Sequence, residues 1–148
     1  MSAYQTINPA NNQLLKTWPA HDDASVQQAL NTADNLYHSA WCKGDMQPRL
    51  QVLHRLAEII ESRVEELATI ASVEMGKLIG QSRGEVKICA QIARYYADHA
   101  ANLLQAQPYP SAVGDAWLEY HPIGVVVAVE PWNFPYHPLS TVLAPHLG

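Results

Sequence analysis

The run Ile123-Gly124-Val125-Val126-Val127-Ala128-Val129 constrains this chain more than any other feature. It is uncharged and mostly β-branched, the pattern of a strand covered on both faces of a parallel sheet; a strand with one wet face alternates polar and apolar side chains. Such a strand needs hydrogen-bonded neighbours, and the sequence holds no second run of this type. Three amphipathic helical patterns precede it, so the arrangement predicts the opening of an α/β domain rather than a finished one. At 148 residues, 48% of them apolar, the chain has the size of one small domain. The pattern argues instead for the amino-terminal part of a larger fold, a truncated chain.

Upstream, Tyr4-Gln5-Thr6-Ile7 and Gln13-Leu14-Leu15-Lys16-Thr17-Trp18 flank the turn-forming Asn8-Pro9-Ala10-Asn11-Asn12, which predicts a hairpin. Asp22 and Asp23 are N-cap candidates for an amphipathic helix through Val26, Ala29, Leu30, Ala33, Leu36, Tyr37 and Ala40, ending near Lys43-Gly44. A longer helix is predicted over residues 47–75, with Pro48 in its first turn and Gly76 closing it. A third covers residues 80–105, stopped by Pro108 and Pro110. Trp117, Glu119 and His121 then alternate with Ala116, Leu118 and Tyr120, which predicts a strand with two differently occupied faces.

Composition excludes several function classes. The net charge of −5 carries no block of like sign, so neither a nucleic-acid arm nor a polybasic membrane patch is expected. No apolar stretch reaches the length of a membrane span, and residues 1–13 lack the regions of a signal peptide. Cys42 and Cys89 form no CxxC unit, which fits a reducing cytoplasm and a packing role for each. His121, His137 and His146 share no helical face at i and i+4, so no metal site is expected. There is no GxGxxG, GxxxxGK[ST], HExxH or EF-hand loop; Gly76-Lys77 lacks the upstream glycine of a phosphate loop and suits a helix C-cap followed by a solvated lysine.

Directly after the apolar run stands Glu130-Pro131-Trp132-Asn133-Phe134-Pro135. Loops at the carboxyl ends of parallel strands hold ligands, and two prolines restrict the backbone on either side of Asn133. An asparagine so held presents its NH2 in one direction, which suits donation to a developing oxyanion. It equally suits a plain strand-to-helix turn with Asn133 capping the helix that starts near Tyr136.

Pro131-Trp132-Asn133-Phe134-Pro135, with Pro122-Ile123-Gly124-Val125-Val126 before it, resembles the PWNFP segment of the aldehyde dehydrogenase superfamily. Ile7-Asn8-Pro9-Ala10, Trp41, Glu74-Met75-Gly76-Lys77, Gly84-Glu85-Val86 and Tyr95-Tyr96 resemble further family elements, so the likeness extends over the whole chain. The resemblance implies amino-terminal helices plus the first strand of a Rossmann-like NAD(P)-binding domain. Residues 1–114 would form the hairpin and helices of that domain, residues 115–122 an oligomerisation strand, and residues 123–148 the first parallel strand, the PWNFP loop and the following helix; the catalytic domain would be absent. It also implies NAD or NADP as cofactor and a homo-oligomeric, cytoplasmic enzyme in full-length form. In the family a cysteine thiolate attacks the aldehyde, hydride passes to the cofactor, and a glutamate-activated water releases the acid. By likeness, Asn133 is the catalytic residue whose amide holds the substrate oxygen. Val129, Glu130, Pro131, Trp132 and Asn133 would line the cofactor, and Phe134, Pro138 and Thr141 the substrate. The family's nucleophile and general base match nothing here, so the chain alone is expected to be inactive.

The stretch Leu118-Glu119-Tyr120-His121-Pro122 with Glu130-Pro131-Trp132 is similar to bacterial succinate-semialdehyde dehydrogenases, which usually carry an arginine where this chain has Thr141. Thr141 offers no charge for the substrate's distal carboxylate, so that substrate is a lean only. The competing expectation is a non-catalytic fragment or truncated paralogue that associates with a full-length dehydrogenase.

Overall fold

A computed structural model describes residues 4–147. Residues 1–3 and 148, which the sequence reading assigned to the ends of the first and last segments, lie outside the described residues.

The hairpin forms as its sequence predicts. β1 (Tyr4–Ile7) pairs antiparallel with β2 (Leu14–Trp18), with a register irregularity between Thr6 and Ile7. Its turn is held by side chains acting on nearby backbone: Asn8 Oδ1 accepts from Ala10 N at 2.9 Å and Asn11 Oδ1 from Gln13 N at 3.0 Å. Such local bonds are why asparagine favours turns. α1 (Asp23–Leu36) starts where Asp22 accepts from Ser25 N at 2.8 Å, so Asp22 rather than Asp23 is the cap. The helix then widens into a π-turn over Tyr37–Trp41, closed by Cys42 N donating to Tyr37 O. Tyr37 also donates its hydroxyl to Pro122 O at 3.0 Å, tying this turn to the start of the apolar run.

The core is helical. α4 (Ile79–Leu103) packs against α2 (Gln47–Ser62), α3 (Val64–Met75) and α5 (His137–Leu147). Its buried stripe is Ser82, Glu85, Val86, Cys89, Ala90, Ala93, Ala97 and Ala100, spaced three and four residues apart. The stripe is dominated by alanine, and small side chains let neighbouring helices approach closely. Leu50, Leu53 and Ala57 of α2, Ala68 and Ala71 of α3 and Ala144 of α5 complete the buried set.

The single helix predicted over residues 47–75 is two. Arg63 leaves the helical region at φ −115°, ψ 20°, and its guanidinium pairs with Glu66 in the first turn of α3. No glycine or proline marks the break; both halves pack on the same long α4, and the corner allows this. α3 ends at Gly76, left-handed at φ 71°, as its sequence predicts. A Cβ on Gly76 would lie 3.1 Å from Pro9 Cγ, so the hairpin turn and the end of α3 meet there. Gly76→Ala is expected to destabilise the chain by about 1–2 kcal/mol, read as a lowered urea midpoint with an unchanged slope.

Two further differences concern the sheet. The strand predicted at residues 116–121 is β4 (Ala116–Leu118), and its antiparallel partner is β3 (Gln107–Tyr109), a segment whose Pro108 predicts only a helix stop. Residues 123–129 join no ladder among the described residues. Ile123 is 90% and Val129 93% exposed, the reverse of the covered strand that their composition predicts. The reason is the one that made the run informative: a strand is defined by its partners, and none is supplied among the described residues. No helix among the described residues is long and apolar enough to cross a membrane.

Candidate functional site

Pro131 and Pro135 frame a bend that delivers the chain from the apolar run into α5. Pro135 and Pro138 lack N–H groups, so the donors left at the start of α5 include Tyr136 N and His137 N. Neither is capped by Asn133. Both donate to Glu85 Oε1 of α4, at 2.8 and 3.2 Å. The other carboxylate oxygen of Glu85 pairs with the ammonium of Lys77, and both side chains are buried, at 2% and 10% exposure. Lys77 Nζ also sits over the Phe134 ring, 3.7 Å from its centroid. Tyr136 donates its hydroxyl to Leu67 O of α3 at 3.0 Å. The loop is therefore anchored to α3, α4 and the linker between them.

Electrostatics follow from this packing. Burial alone would raise the Glu85 pKa, but the Lys77 ammonium and the two backbone N–H groups outweigh it and hold the carboxyl below the ordinary glutamate range. A carboxylate also suits the positive end of α5. Tyr136 is shifted upward, by burial first and then by Glu74 and Glu85. The Cys89 thiol is pushed up chiefly by its burial, which fits the predicted packing role.

The predicted site residues lie close in sequence but unevenly in space. Asn133 is exposed and makes no hydrogen bond with the described residues, which removes the helix-cap alternative: Glu85 performs that task. Val129, Pro131 and Trp132 are exposed and Glu130 is half-buried. Phe134 lies under Lys77. Pro138 and Thr141 are one turn apart on α5, and the Thr141 hydroxyl donates to Pro138 O at 2.8 Å. A concavity of 590 Å³ lies between β1, α3 and the loop, and of the predicted site residues only Trp132 lines it. The Asn133 amide is on open surface.

Lys77 and Glu85 are the residues whose part sequence reading missed. Lys77 is not the solvated lysine expected after a helix C-cap; it is nine-tenths buried against Glu85 and Phe134. A signal was present: Glu85 stands at helical spacing from Ser82, Val86 and Cys89, on the face of α4 that must be buried, and a buried carboxylate requires partners. His121 Nε2 lies 3.3 Å from Glu119 Oε2 on the surface, and His146 Nδ1 lies 2.6 Å from Val142 O. Among the described residues no three metal-ligating side chains gather.

A helical amino-terminal layer leads into an apolar run and a Pro131–Pro135 loop whose asparagine amide is exposed and unbonded among the described residues. The chain belongs to the aldehyde dehydrogenase family, whose model matches residues 1–148. It is 37% identical to a probable NADP(+) succinate-semialdehyde dehydrogenase of Synechocystis over 98% of this chain, and 32% identical to the Deinococcus radiodurans succinate-semialdehyde dehydrogenase [NADP(+)] over 97%. The crystal structure of succinic semialdehyde dehydrogenase from Streptococcus pyogenes with NADP+ superposes with a TM-score of 0.94 at 40% identity, covering 97% of this chain and 32% of that one. The chain spans 32% of the length of the Synechocystis relative and 30% of the Deinococcus one.

Proposed function

We propose that this chain forms part of an enzyme that oxidises an aldehyde to a carboxylic acid with NADP or NAD, leaning towards succinate semialdehyde to succinate. The observation that carries the reading is the free, exposed amide of Asn133 on a loop held from α3 and α4, in a chain of this family. When a nucleophile adds to an aldehyde, negative charge gathers on the carbonyl oxygen, and a neutral amide N–H can meet that charge without transferring a proton. Asn133 has no competing partner among the described residues, so its NH2 is available for that bond.

Val129, Glu130, Pro131 and Trp132 would offer one wall of the cofactor site. The exposure of Val129, Pro131 and Trp132, and backbone groups left unpaired among the described residues, fit contact with a nicotinamide and its ribose. The cofactor, when bound, supplies the hydride acceptor. Phe134, Pro138 and Thr141 would line the substrate passage. Thr141 spends its hydroxyl on Pro138 O, so recognition of a distal carboxylate would come from outside this segment. Residues 123–129, exposed here, would enter the parallel sheet of the cofactor domain, and residues 115–122 would serve as the oligomerisation strand. The names of the Synechocystis, Deinococcus and Streptococcus relatives support the NADP and succinate-semialdehyde lean.

The test is reduced-cofactor formation, followed by absorbance, from succinate semialdehyde and from propanal. A full-length enzyme carrying this segment is expected to favour succinate semialdehyde by about tenfold or more in kcat/KM; equal values remove the substrate lean, and no turnover of either removes the dehydrogenase reading. The 148-residue chain by itself is expected to show no turnover, and robust turnover by it would overturn the part-of-an-enzyme reading.

A further inference from the structure

The Lys77–Glu85 pair is more elaborate than a helix needs. An exposed serine or aspartate beside α5 would satisfy two N–H groups at little cost. Here a buried carboxylate is brought from another helix, and a buried ammonium is brought to it. The same ammonium rests on Phe134, the residue after Asn133, while the carboxylate holds Tyr136 N and His137 N. Only Pro135, whose ring locks φ, separates the two grips. Lys77 is itself set by the left-handed Gly76 against Pro9.

We propose that Glu85 and Lys77 are positioning residues for Asn133: together they grip the chain from Phe134 to His137 and so fix the backbone that presents the Asn133 side-chain amide. This rests on the proposed role of Asn133 for its catalytic meaning, while the grip is a property of the chain itself. Two neutral acceptors could cap α5, but they would not draw Lys77 over Phe134. Removing Lys77 leaves Glu85 buried with backbone partners alone, and removing the Glu85 charge releases Lys77 from the ring.

The experiment is ¹⁵N–¹H spectroscopy of the 148-residue chain, following the Asn133 side-chain NH2 pair and the Tyr136 and His137 amides. In the unaltered chain the NH2 pair is expected to be single and narrow. Lys77→Met and Glu85→Gln are expected to broaden or split it and to speed exchange of the Tyr136 and His137 amides by about tenfold or more, with Leu53 and Ala93 amides unchanged. Lys77→Arg keeps a cation at both contacts and is expected to retain the single pair. An unmoved Asn133 pair in both disruptive variants overturns the proposal, as does loss of protection spread equally to Leu53 and Ala93.

An acid titration of the unaltered chain needs no variant to fold. Glu85 faces Lys77 from the linker, Cys89 from its own helix, and Tyr136 and His137 from α5. With its pKa depressed, its hold is present at neutral pH and is lost as pH falls through that lowered value. The Asn133 NH2 pair is expected to broaden in that same step, below the ordinary glutamate range. A pair that stays narrow after Glu85 is protonated overturns the proposal. Failure of the dehydrogenase reading would appear only as absent turnover, with these signals intact.

Discussion

Asn133→Ala is expected to lower kcat by about 10²–10³, roughly 3–4 kcal/mol of transition-state stabilisation, in a full-length enzyme carrying this segment. The size follows from where the charge develops. A substrate carbonyl is a modest acceptor in the ground state and a strong one once a nucleophile has added, so the amide contributes mainly at the transition state. Both kcat and kcat/KM should therefore fall by similar factors, with KM little changed. Asn133→Asp should be at least as damaging, because it places an acceptor where a donor is required. Stability supplies the control. Asn133 is exposed and bonds to none of the described residues, so its replacement should leave the denaturation midpoint within about 0.5 kcal/mol of the original. A large loss of stability, or a change confined to KM, would contradict this assignment.

Leu53→Ala should produce the largest loss of stability, about 2–5 kcal/mol. Leu53 is fully buried where α2, α4 and α5 meet, in a cluster with Ala97 and Ala144 and flanked by Ile92, Tyr96 and Leu147. Alanine neighbours have no side-chain reach with which to refill the space, so the cavity should persist and the cost should lie towards the upper end. A domain of this size is stable by about 5–15 kcal/mol, so the change is a sizeable part of the whole. The check is urea denaturation followed by helical circular dichroism, where a shift under about 1 kcal/mol would show that the core collapses around the lost side chain. Because the cluster includes α5, the variant should also loosen the helix that carries the loop bearing Asn133.

Much of the helical layer was legible in advance because its causes are local. The apolar stripes of α2 and α4, the cap at Asp22, the stop at Gly76 and the asparagine-rich turn of the hairpin each depend on residues within a few positions of one another. The break at Arg63 was not legible, since nothing in its neighbours forbids a helix and the corner serves packing on α4. The pairing of β3 with β4 was hidden because Pro108 and Pro110 read as helix stops, and an edge strand tolerates proline. Asn133 was found through its motif, whereas the grip on its loop joins residues 51 and 52 positions apart in the chain, Glu85 to Tyr136 and His137, and no local pattern reports it.

By itself the sequence determined most helical segments, the buried stripes of α2 and α4, the family and the asparagine on which the proposed chemistry depends, because periodicity, capping and motif are short-range properties. The tertiary structure alone decided what covers each face. It put Glu85 on the amides of α5, Lys77 on Phe134 and Pro9 on Gly76, and it left residues 123–129 exposed. The physical reason is the same in each case. A buried charge and a β-strand both take their energy from partners, and partners distant in sequence are chosen by folding in three dimensions.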